Sequence, residues 1–229
     1  KEFCPEVEAM IAVPQNPKFH PEGDVFEHTM LTLDCAAALR ERAEWPLGLM
    51  LSALVHDIGK CVATQVQADG RITAYGHERL GLEMVERQLR RLTNHEKLIR
   101  YALNMTELHM RPNMLCGSNS KKKKTRQLFD LSLSPNDLIL LSRADASGKL
   151  DEPYREETEA WLRERLRDYR ACLRRPMVTG ADLIAAGLKA DARFGELLRR
   201  ARMLHFSGIE KQNALKQVLA EAKMQENKS

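Results

Sequence analysis

The dipeptide His56-Asp57 closes a strongly apolar stretch and is where the sequence first suggests metal chemistry. Residues 47–57 predict a buried helix, and Gly59 predicts its end. An imidazole and a carboxylate are costly to bury without partners, and a metal ion satisfies both together. For an isolated His-Asp pair, hydrogen bonds at a helix end are the favoured explanation. The dipeptide therefore predicts a metal site only if further ligands lie elsewhere in the chain.

Other candidate ligands stand near the ends of neighbouring predicted helices. They are His28, His77, His109 and Asp145. A helical bundle can bring such side chains together in its core. Imidazole and carboxylate ligands suit Mn²⁺, Fe²⁺, Co²⁺, Ni²⁺ or Mg²⁺ better than an ion that prefers thiolates. The pattern therefore predicts a site for a divalent metal ion.

The elements that position these residues are predicted to be almost entirely helical. Apolar periodicity predicts helices over residues 25–42, 47–57, 77–91, 96–109, 125–131, 135–146 and 155–173, then two or three short helices within 180–224. Residues 63–67 and 71–75 flank Asp69-Gly70, which predicts a small hairpin. Residues 116–124 predict a flexible basic loop. The predicted fold class is all-α, a helical bundle with one short β-hairpin and a C-terminal helical extension.

Several short motifs stand out in the sequence. They are His20-Pro21-Glu22-Gly23-Asp24-Val25 with His28-Thr29, then His56-Asp57-Ile58-Gly59-Lys60, Tyr75-Gly76-His77-Glu78 and Ala144-Asp145. Through these motifs the chain resembles the HD-domain metal-dependent phosphohydrolases, and in particular the HD domain of bacterial CCA-adding tRNA nucleotidyltransferases and poly(A) polymerase family proteins. The tail words Val178-Thr179-Gly180-Ala181-Asp182-Leu183 and Phe194-Gly195-Glu196-Leu197-Leu198-Arg199 resemble the C-terminal end of the same enzymes.

This resemblance implies a ligand set and a domain organisation. The four core metal ligands would be His28, His56, Asp57 and Asp145. His77 and His109 would either bind a second metal ion or contact the phosphate. Residues 1–150 would form the HD phosphohydrolase domain, and residues 151–229 would form a helical extension.

The expected reaction is hydrolysis of a phosphoester by a metal-activated water. Asp57 would ligate the metal and orient the water, while Lys60 would stabilise charge on the phosphoryl oxygens, although a solvated surface lysine is the alternative. His77 and His109 complete the predicted catalytic residues. The resemblance implies substrates such as 2′,3′-cyclic nucleotides, 2′-nucleotides or RNA 3′ ends, with general phosphatase activity. A deoxynucleoside phosphate or a guanosine tetraphosphate-like signal is a further option.

Composition bounds the remaining possibilities. The formal net charge of +4 permits contact with phosphates without indicating a nucleic-acid-binding protein. Five scattered cysteines argue against a disulfide scaffold and favour a reducing cytoplasm. We find no apolar run of transmembrane length and no signal peptide, so no membrane association is expected. The sequence indicates no oligomeric state.

The basic segments favour a second reading, an RNA-binding body module in which the HD core is non-catalytic. Its basis is residues 121–124, all lysine, and the segment Arg199-Arg200-Ala201-Arg202, and its partner would be tRNA. A solvated loop is the alternative for the lysines. No Asp-x-Asp in a strand context occurs, so the nucleotidyltransferase head of the CCA-adding enzymes is not in this sequence. We expect a stand-alone relative or part of a longer enzyme, and the first residue, Lys1, and the family-like tail favour the latter.

Some polar residues have simpler explanations. Asp24 is predicted to cap the helix that begins near Val25. His20 either shapes the mouth of the site or is structural. His95 is expected to be exposed and His205 to be packed. Arg111 and Arg143 lie beside candidate ligands and are weaker candidates for binding phosphate.

Overall fold

The computed structural model describes residues 3–149, 154–191 and 193–226 of this chain. Its elements in order are α1 (Pro5–Glu8), α2 (Val25–Leu39), a 3-10 turn (Arg40–Arg42), α3 (Pro46–Val55), α4 (Lys60–Ala63), β1 (Gln65–Val66), β2 (Ile72–Thr73), α5 (His77–Leu80), α6 (Leu82–Leu92), α7 (Glu96–Leu108), α8 (Met110–Gly117), α9 (Lys122–Leu131), α10 (Pro135–Ser147), α11 (Glu156–Leu173), α12 (Gly180–Ala185), α13 (Phe194–Phe206) and α14 (Lys211–Glu226). The predicted all-α class with one hairpin is confirmed.

The chain divides into two compact units. The first comprises residues 1–119 and 128–163, and the second comprises residues 120–127 and 164–229. The predicted domain boundary between residues 150 and 151 lies outside the described residues and stays a prediction.

Helix α3 is the centre of the first unit, where it packs against α2, α7 and α10. Leu49, Ala53 and Val55 on this helix are fully buried. The Ser52 hydroxyl is also buried, and it donates to the carbonyl of Gly48 at 2.7 Å, so the helix buries this polar group with its hydrogen bond satisfied. The apolar composition of α3 therefore places its C-terminal end, and the residues after it, inside the protein.

One stretch of the described residues, Pro46–Ala63, has the length and hydropathy of a membrane span, contrary to the expectation from the sequence. However, 61% of this stretch is buried within the structure. It also changes from α3 to α4 through a turn that carries His56 and Asp57. The stretch is therefore explained as the core helix of the first unit.

The predicted hairpin is present but its strands are shorter than expected. Gln65 pairs with Thr73 and Val66 with Ile72 in antiparallel register. Gly70 closes the turn with a φ of +79°, a conformation that glycine adopts without steric cost. The first strand is short because Ala63 still belongs to α4.

Two helices differ from the prediction. The helix predicted over residues 77–91 is broken at Gly81 into α5 and α6. Helix α8 continues the chain after His109, where no helix was predicted. Pro112 lies in the first turn of α8, where a helix needs no backbone donor, so this proline does not prevent the helix.

The predicted basic loop over residues 116–124 is wrong at both ends. Helix α8 extends to Gly117, and α9 begins at Lys122 rather than at Thr125. The carboxylate of Asp168 lies 2.9 Å from Lys122 Nζ and 2.8 Å from Arg126 Nε. Positive charge at a helix N-terminus is unfavourable, and this carboxylate offsets it. The lysine run therefore begins a helix.

The second unit has its own apolar core. Leu183, Leu197, Leu204 and Val218 belong to one buried cluster that joins α12, α13 and α14. Thr179 begins α12 with a capping box, because its hydroxyl accepts from Asp182 N while the Asp182 carboxylate accepts from Thr179 N.

Candidate metal centre

Asp57 is at the centre of the candidate site and is 1% exposed. It lies in the turn between α3 and α4, just after the buried end of α3. Its backbone carbonyl accepts from Lys60 N at 2.9 Å, so the turn bends back at once. This bend presents the carboxylate to neighbouring helices instead of to the next turn of α3.

Three histidines present the same edge of the ring to their own backbone. The Nδ1 atoms lie close to carbonyl oxygens three residues earlier in the chain: His56 to Ala53 at 2.8 Å, His77 to Ala74 at 2.9 Å and His109 to Thr106 at 2.6 Å. A neutral imidazole that donates from Nδ1 carries its lone pair on Nε2. The backbone thus sets all three rings in the form that binds a metal through Nε2.

The fourth ring, His28, has a carboxylate in the corresponding place. Glu22 Oε1 lies 2.7 Å from His28 Nδ1, and both side chains are fully buried. His28 Nε2 lies 3.1 Å from Asp145 Oδ1 and 3.7 Å from Asp57 Oδ2. His28 is therefore held between acidic groups and faces the centre through Nε2, like the other three histidines.

The two oxygens of Asp57 face different sets of ligands. Oδ2 lies 3.2 Å from His56 Nε2, on the side of the first ligand group, which is His28, His56 and Asp145. Oδ1 lies 3.0 Å from His77 Nε2 and 3.6 Å from His109 Nε2, and these three residues form the second ligand group. All six predicted metal ligands are brought together, and Asp57 stands between the two groups.

The residues present fit a metal ion. His56 Nε2 and Asp57 Oδ1 are buried and make no well-oriented hydrogen bond, although His56 Nε2 lies 3.2 Å from Asp57 Oδ2 and His77 Nε2 lies 3.0 Å from Asp57 Oδ1. Leaving such atoms unsatisfied is unfavourable, and a cation between them would satisfy both. The donors are imidazole nitrogens and carboxylate oxygens, which suit first-row divalent ions and Mg²⁺.

The charges of the site reinforce each other. Burial alone would raise the pKa of the Asp57 carboxyl, but the neighbouring His56 and Lys60 hold it well below its usual range. Burial would lower the pKa of His28, but the hydrogen bond to Asp145 and the adjacent Glu22 outweigh this and raise it to about 9. A metal ion at this position would displace the His28 proton.

Lys60, the predicted phosphate-binding cation, lies next to the ligands. Its Nζ is 2.7 Å from Asp57 Oδ2 and donates to Gln15 Oε1 at 2.6 Å. Gln15 in turn donates from Nε2 to the backbone carbonyl of Asp24 at 3.0 Å. Lys60 is buried, so the alternative of a solvated surface lysine is not supported.

Two residues of the site were not predicted from the sequence. Glu22 holds His28, and the pKa of its carboxyl is lowered to about 2, because His28 and His20 outweigh the effect of burial. It stands within the word His20-Pro21-Glu22-Gly23-Asp24, so its proximity to two histidines was a usable signal. Gln15 is an uncharged residue with no spacing signal, and only the fold reveals its contact with Lys60.

The remaining polar residues have mostly structural roles. Asp24 caps α2 by accepting from Glu27 N at 2.9 Å, as predicted, and it also accepts from Ala12 N at 2.6 Å. His95 is exposed and caps α7, and His205 is buried, with Nε2 2.9 Å from the carbonyl of Cys172.

Two other predicted residues take different positions. His20 lies against the site, with its ring centroid 4.7 Å from that of His28. The Arg143 guanidinium pairs with Glu156 and Glu159. Arg143 is therefore engaged by carboxylates, which does not support its candidacy as a phosphate contact.

A close backbone contact fixes the distance between Asp57 and His77. A Cβ on Gly59 would lie 2.0 Å from the His77 carbonyl oxygen, and a Cβ on Gly81 would lie 2.3 Å from the Gly59 Cα. No side chain fits in either place without moving the backbone. The break at Gly81 therefore allows α5 to place His77 next to Asp57.

We expect Gly81→Ala to push α5 away from the turn that carries Asp57. Overpacking of this kind costs about 1–3 kcal/mol in the free energy of unfolding, and metal bound per chain should fall as His77 moves. Urea denaturation and elemental analysis measure the two effects. Gly117→Ala is the matched control, since its Cβ would meet nothing within 4 Å. Equal stability and equal metal content in the two variants would contradict the role of the contact.

The fold and the site together define the class of this protein. The chain matches the HD domain over residues 25–147, more than half of its length, and belongs to that family. The HD superfamily consists in general of metal-dependent phosphohydrolases. All six predicted metal ligands lie within the matched range, whereas Gln15, His20 and Glu22 lie outside it.

Among curated proteins, the chain is similar to bacterial proteins named multifunctional CCA protein. The one from Methylococcus capsulatus is 33% identical over 215 residues, which is 89% of this chain and 46% of the relative. The one from Hahella chejuensis is 28% identical over 93% of this chain and 49% of the relative. The one from Actinobacillus pleuropneumoniae serotype 5b is 31% identical over 69% of this chain and 39% of the relative. The resemblance to CCA-adding enzymes is confirmed, and the chain spans less than half the length of these relatives.

Proposed function

We propose that this protein is a metal-dependent phosphohydrolase that acts on nucleotide or RNA-end phosphoesters, as a 2′,3′-cyclic phosphodiesterase, 2′-nucleotidase or phosphatase, alone or as part of a tRNA nucleotidyltransferase. One observation carries the proposal: four imidazole Nε2 atoms and the Asp145 carboxylate surround the Asp57 carboxylate. They do so beside a cavity that Lys60 and His77 line. A cytoplasmic location stays a prediction.

The ligands suggest a division of labour. His28, His56, Asp57 and Asp145 would hold one ion, and His77 and His109 would either complete the ligands of a second or bind the phosphate. A divalent ion in such a site supplies a hydroxide nucleophile near neutral pH. Asp57 orients the attacking water, whose oxygen bonds to phosphorus as the ester P–O bond breaks and the ester oxygen leaves with a proton. Lys60 stabilises the charge on the phosphoryl oxygens.

The test is metal content followed by hydrolysis. The protein is purified without chelator, its metal per chain is measured, and it is then supplied with Mn²⁺, Co²⁺, Ni²⁺ or Mg²⁺ and 2′,3′-cAMP. We expect a nucleoside monophosphate product that chelator suppresses and metal restores. Two ions per chain would place His77 and His109 among the ligands, and one ion would leave them to the phosphate. The proposal would be overturned if none of these metals supported hydrolysis of a 2′,3′-cyclic nucleotide, a 2′-nucleotide or a simple phosphate monoester.

A second candidate function is RNA binding, and the distribution of charge favours it. The second unit contains 19 Lys and Arg against 8 Asp and Glu, whereas the first contains 17 against 24. The modest net charge of +4 thus conceals a formal charge of +11 on one unit and −7 on the other. Such asymmetry is typical of a chain with a nucleic-acid-binding region.

The RNA-binding proposal is tested with tRNA over a range of salt concentrations. Phosphate contacts release counterions, so affinity should fall steeply as salt rises. Lys123 and Lys124 are exposed at the start of α9, and replacing both with alanine should lower the salt dependence by about one unit for each phosphate contact removed. Lys97→Ala, on the acidic first unit, is the control. No binding at low salt would dispose of this function.

A further inference from the structure

The cavity beside the metal centre is lined partly by aromatic side chains, which the proposed reaction does not require. It has a volume of about 290 Å³, and the residues that line it include Lys60, His77 and two exposed aromatic side chains, Phe19 and Tyr75. Phe19 is 57% exposed and Tyr75 is 86% exposed. Hydrolysis of a phosphoester needs the charged and metal-binding side chains of this lining, and it does not explain the two aromatic ones.

The two aromatic residues belong to the segments that carry site histidines. Phe19 directly precedes His20, whose Nδ1 lies 2.8 Å from Glu22 Oε1. Tyr75 is two residues before His77, whose Nδ1 faces the Ala74 carbonyl. The positions of both rings are thus tied to the metal centre by one or two residues of backbone.

The segment that carries Phe19 is fixed at both ends. Asp24 accepts from Ala12 N, and Val25 N donates to the Val13 carbonyl at 3.1 Å, so the chain between them forms a closed loop. Within this loop, Gln15 holds Lys60 and contacts the Asp24 carbonyl. The loop lies outside the matched HD domain range and forms one wall of the cavity.

We propose that this cavity binds the nucleoside part of the substrate, with the base against Phe19 and Tyr75 and the phosphate near Lys60 and His77. The inference rests on the proposed function, which it deepens by naming the group that determines specificity. Phe19 and Tyr75 are specificity-determining residues in this arrangement, and they take no part in the chemical step.

The chemistry of the lining favours a nucleoside phosphate over other phosphoesters. No Asp or Glu occurs among the described residues that line the cavity, while the ammonium group of Lys60 does, which suits an anionic ligand. Pockets for small molecules measure about 300–1,000 Å³, so this cavity fits a ligand of roughly mononucleotide size. Aromatic side chains bind bases by stacking. Each stacked base contributes about 1–3 kcal/mol to the binding free energy, whichever base it is.

A binding experiment tests the inference without any hydrolysis. Adenosine and ribose are titrated into the wild-type protein, and binding is followed by NMR or calorimetry. We expect adenosine to bind at least about 10-fold more tightly than ribose, and the double variant Phe19→Ser, Tyr75→Ser to lose about 10-fold or more in adenosine affinity. Phe19→Tyr with Tyr75→Phe should restore it. Phe3→Ser removes an aromatic ring that is also exposed but lies outside the cavity, and it should bind adenosine as the wild type does.

A kinetic experiment gives the second readout. In the double serine variant, kcat/KM for 2′,3′-cAMP should fall at least about 10-fold more than kcat/KM for glycerol 2-phosphate, mainly through KM. Equal losses for the two substrates, or adenosine binding no tighter than ribose binding, would overturn the inference. If adenosine binds through Phe19 and Tyr75 but no phosphoester is hydrolysed, the inference stands and the proposed function fails. If phosphoesters are hydrolysed and the aromatic residues have no effect, the reverse holds.

Discussion

Asp57→Asn is expected to remove bound metal and to reduce phosphoester hydrolysis by at least about 10³-fold, more than removal of one transition-state contact usually does. Asp57 is the residue that both ligand groups share, since Oδ2 faces His56 and Oδ1 faces His77 and His109. The asparagine keeps the volume but presents an amide in place of two anionic oxygens. Any metal stoichiometry, one ion or two, therefore depends on this carboxylate.

The measurements are metal per chain by elemental analysis, hydrolysis of 2′,3′-cAMP and the thermal midpoint. Asp69→Asn, at the exposed turn of the hairpin, is the matched control and should retain metal and activity. The thermal midpoint shows whether the variant is still folded. An Asp57→Asn protein that is folded but binds no metal supports Asp57 as the shared metal ligand. Full activity and full metal content in Asp57→Asn would refute it.

Metal content in two single variants distinguishes the two ligand groups. His56→Ala should remove the ion held by the first ligand group, which contains His28 and Asp145. His77→Ala should change the stoichiometry only if a second ion is bound. The pair of variants thus separates a metal ligand from a phosphate contact at His77.

Four of the ligands, His56, Asp57, His77 and His109, could be predicted because local sequence places them. The apolar run of α3 must be buried, and His56 and Asp57 follow it directly, so burial of the pair follows from the pattern. Three of the histidines lie three residues after the carbonyl that accepts from Nδ1, a relation built into the end of a helix or turn. Local rules of this kind can be read from residue order.

The rest of the site, and some helix boundaries, depend on contacts between distant parts of the chain. Gln15 meets Lys60 and Arg126 meets Asp168 across 45 and 42 residues, and no periodicity encodes either pair. The break at Gly81 arises because Gly59 packs against it, so a helix that looked continuous in sequence is divided by a tertiary contact. The start of α9 at Lys122 likewise depends on Asp168, which the local charge pattern does not show.

A buried carboxylate far from the metal centre holds the elements that supply the ligands. Asp137, in the first turn of α10, is fully buried. Its Oδ1 accepts from Glu44 N at 2.7 Å, and its Oδ2 accepts from Trp45 N at 3.0 Å and from the Tyr101 hydroxyl at 2.7 Å. Burial and the adjacent carboxylate raise the pKa of the Tyr101 phenol, which keeps it a donor. The start of α3, the middle of α7 and the start of α10 therefore meet at one side chain.

Asp137→Ala is expected to lower the free energy of unfolding by about 2–4 kcal/mol, because it leaves the buried Tyr101 hydroxyl and the partly buried backbone N–H groups of Glu44 and Trp45 without their acceptor. Urea denaturation measures the loss, and Asp34→Ala, at an exposed position on α2, should stay within about 0.5 kcal/mol of wild type. Adding Tyr101→Phe to Asp137→Ala should cost less than the sum of the two single changes, because both remove the same hydrogen bond. A loss below about 1 kcal/mol, or strict additivity, would show that the network does not hold these helices together. Helix α3 leads to His56 and Asp57, α7 leads to His109, and α10 carries Asp145. Loss of the hydrogen bonds to Asp137 should therefore also lower metal affinity, although every ligand residue is unchanged.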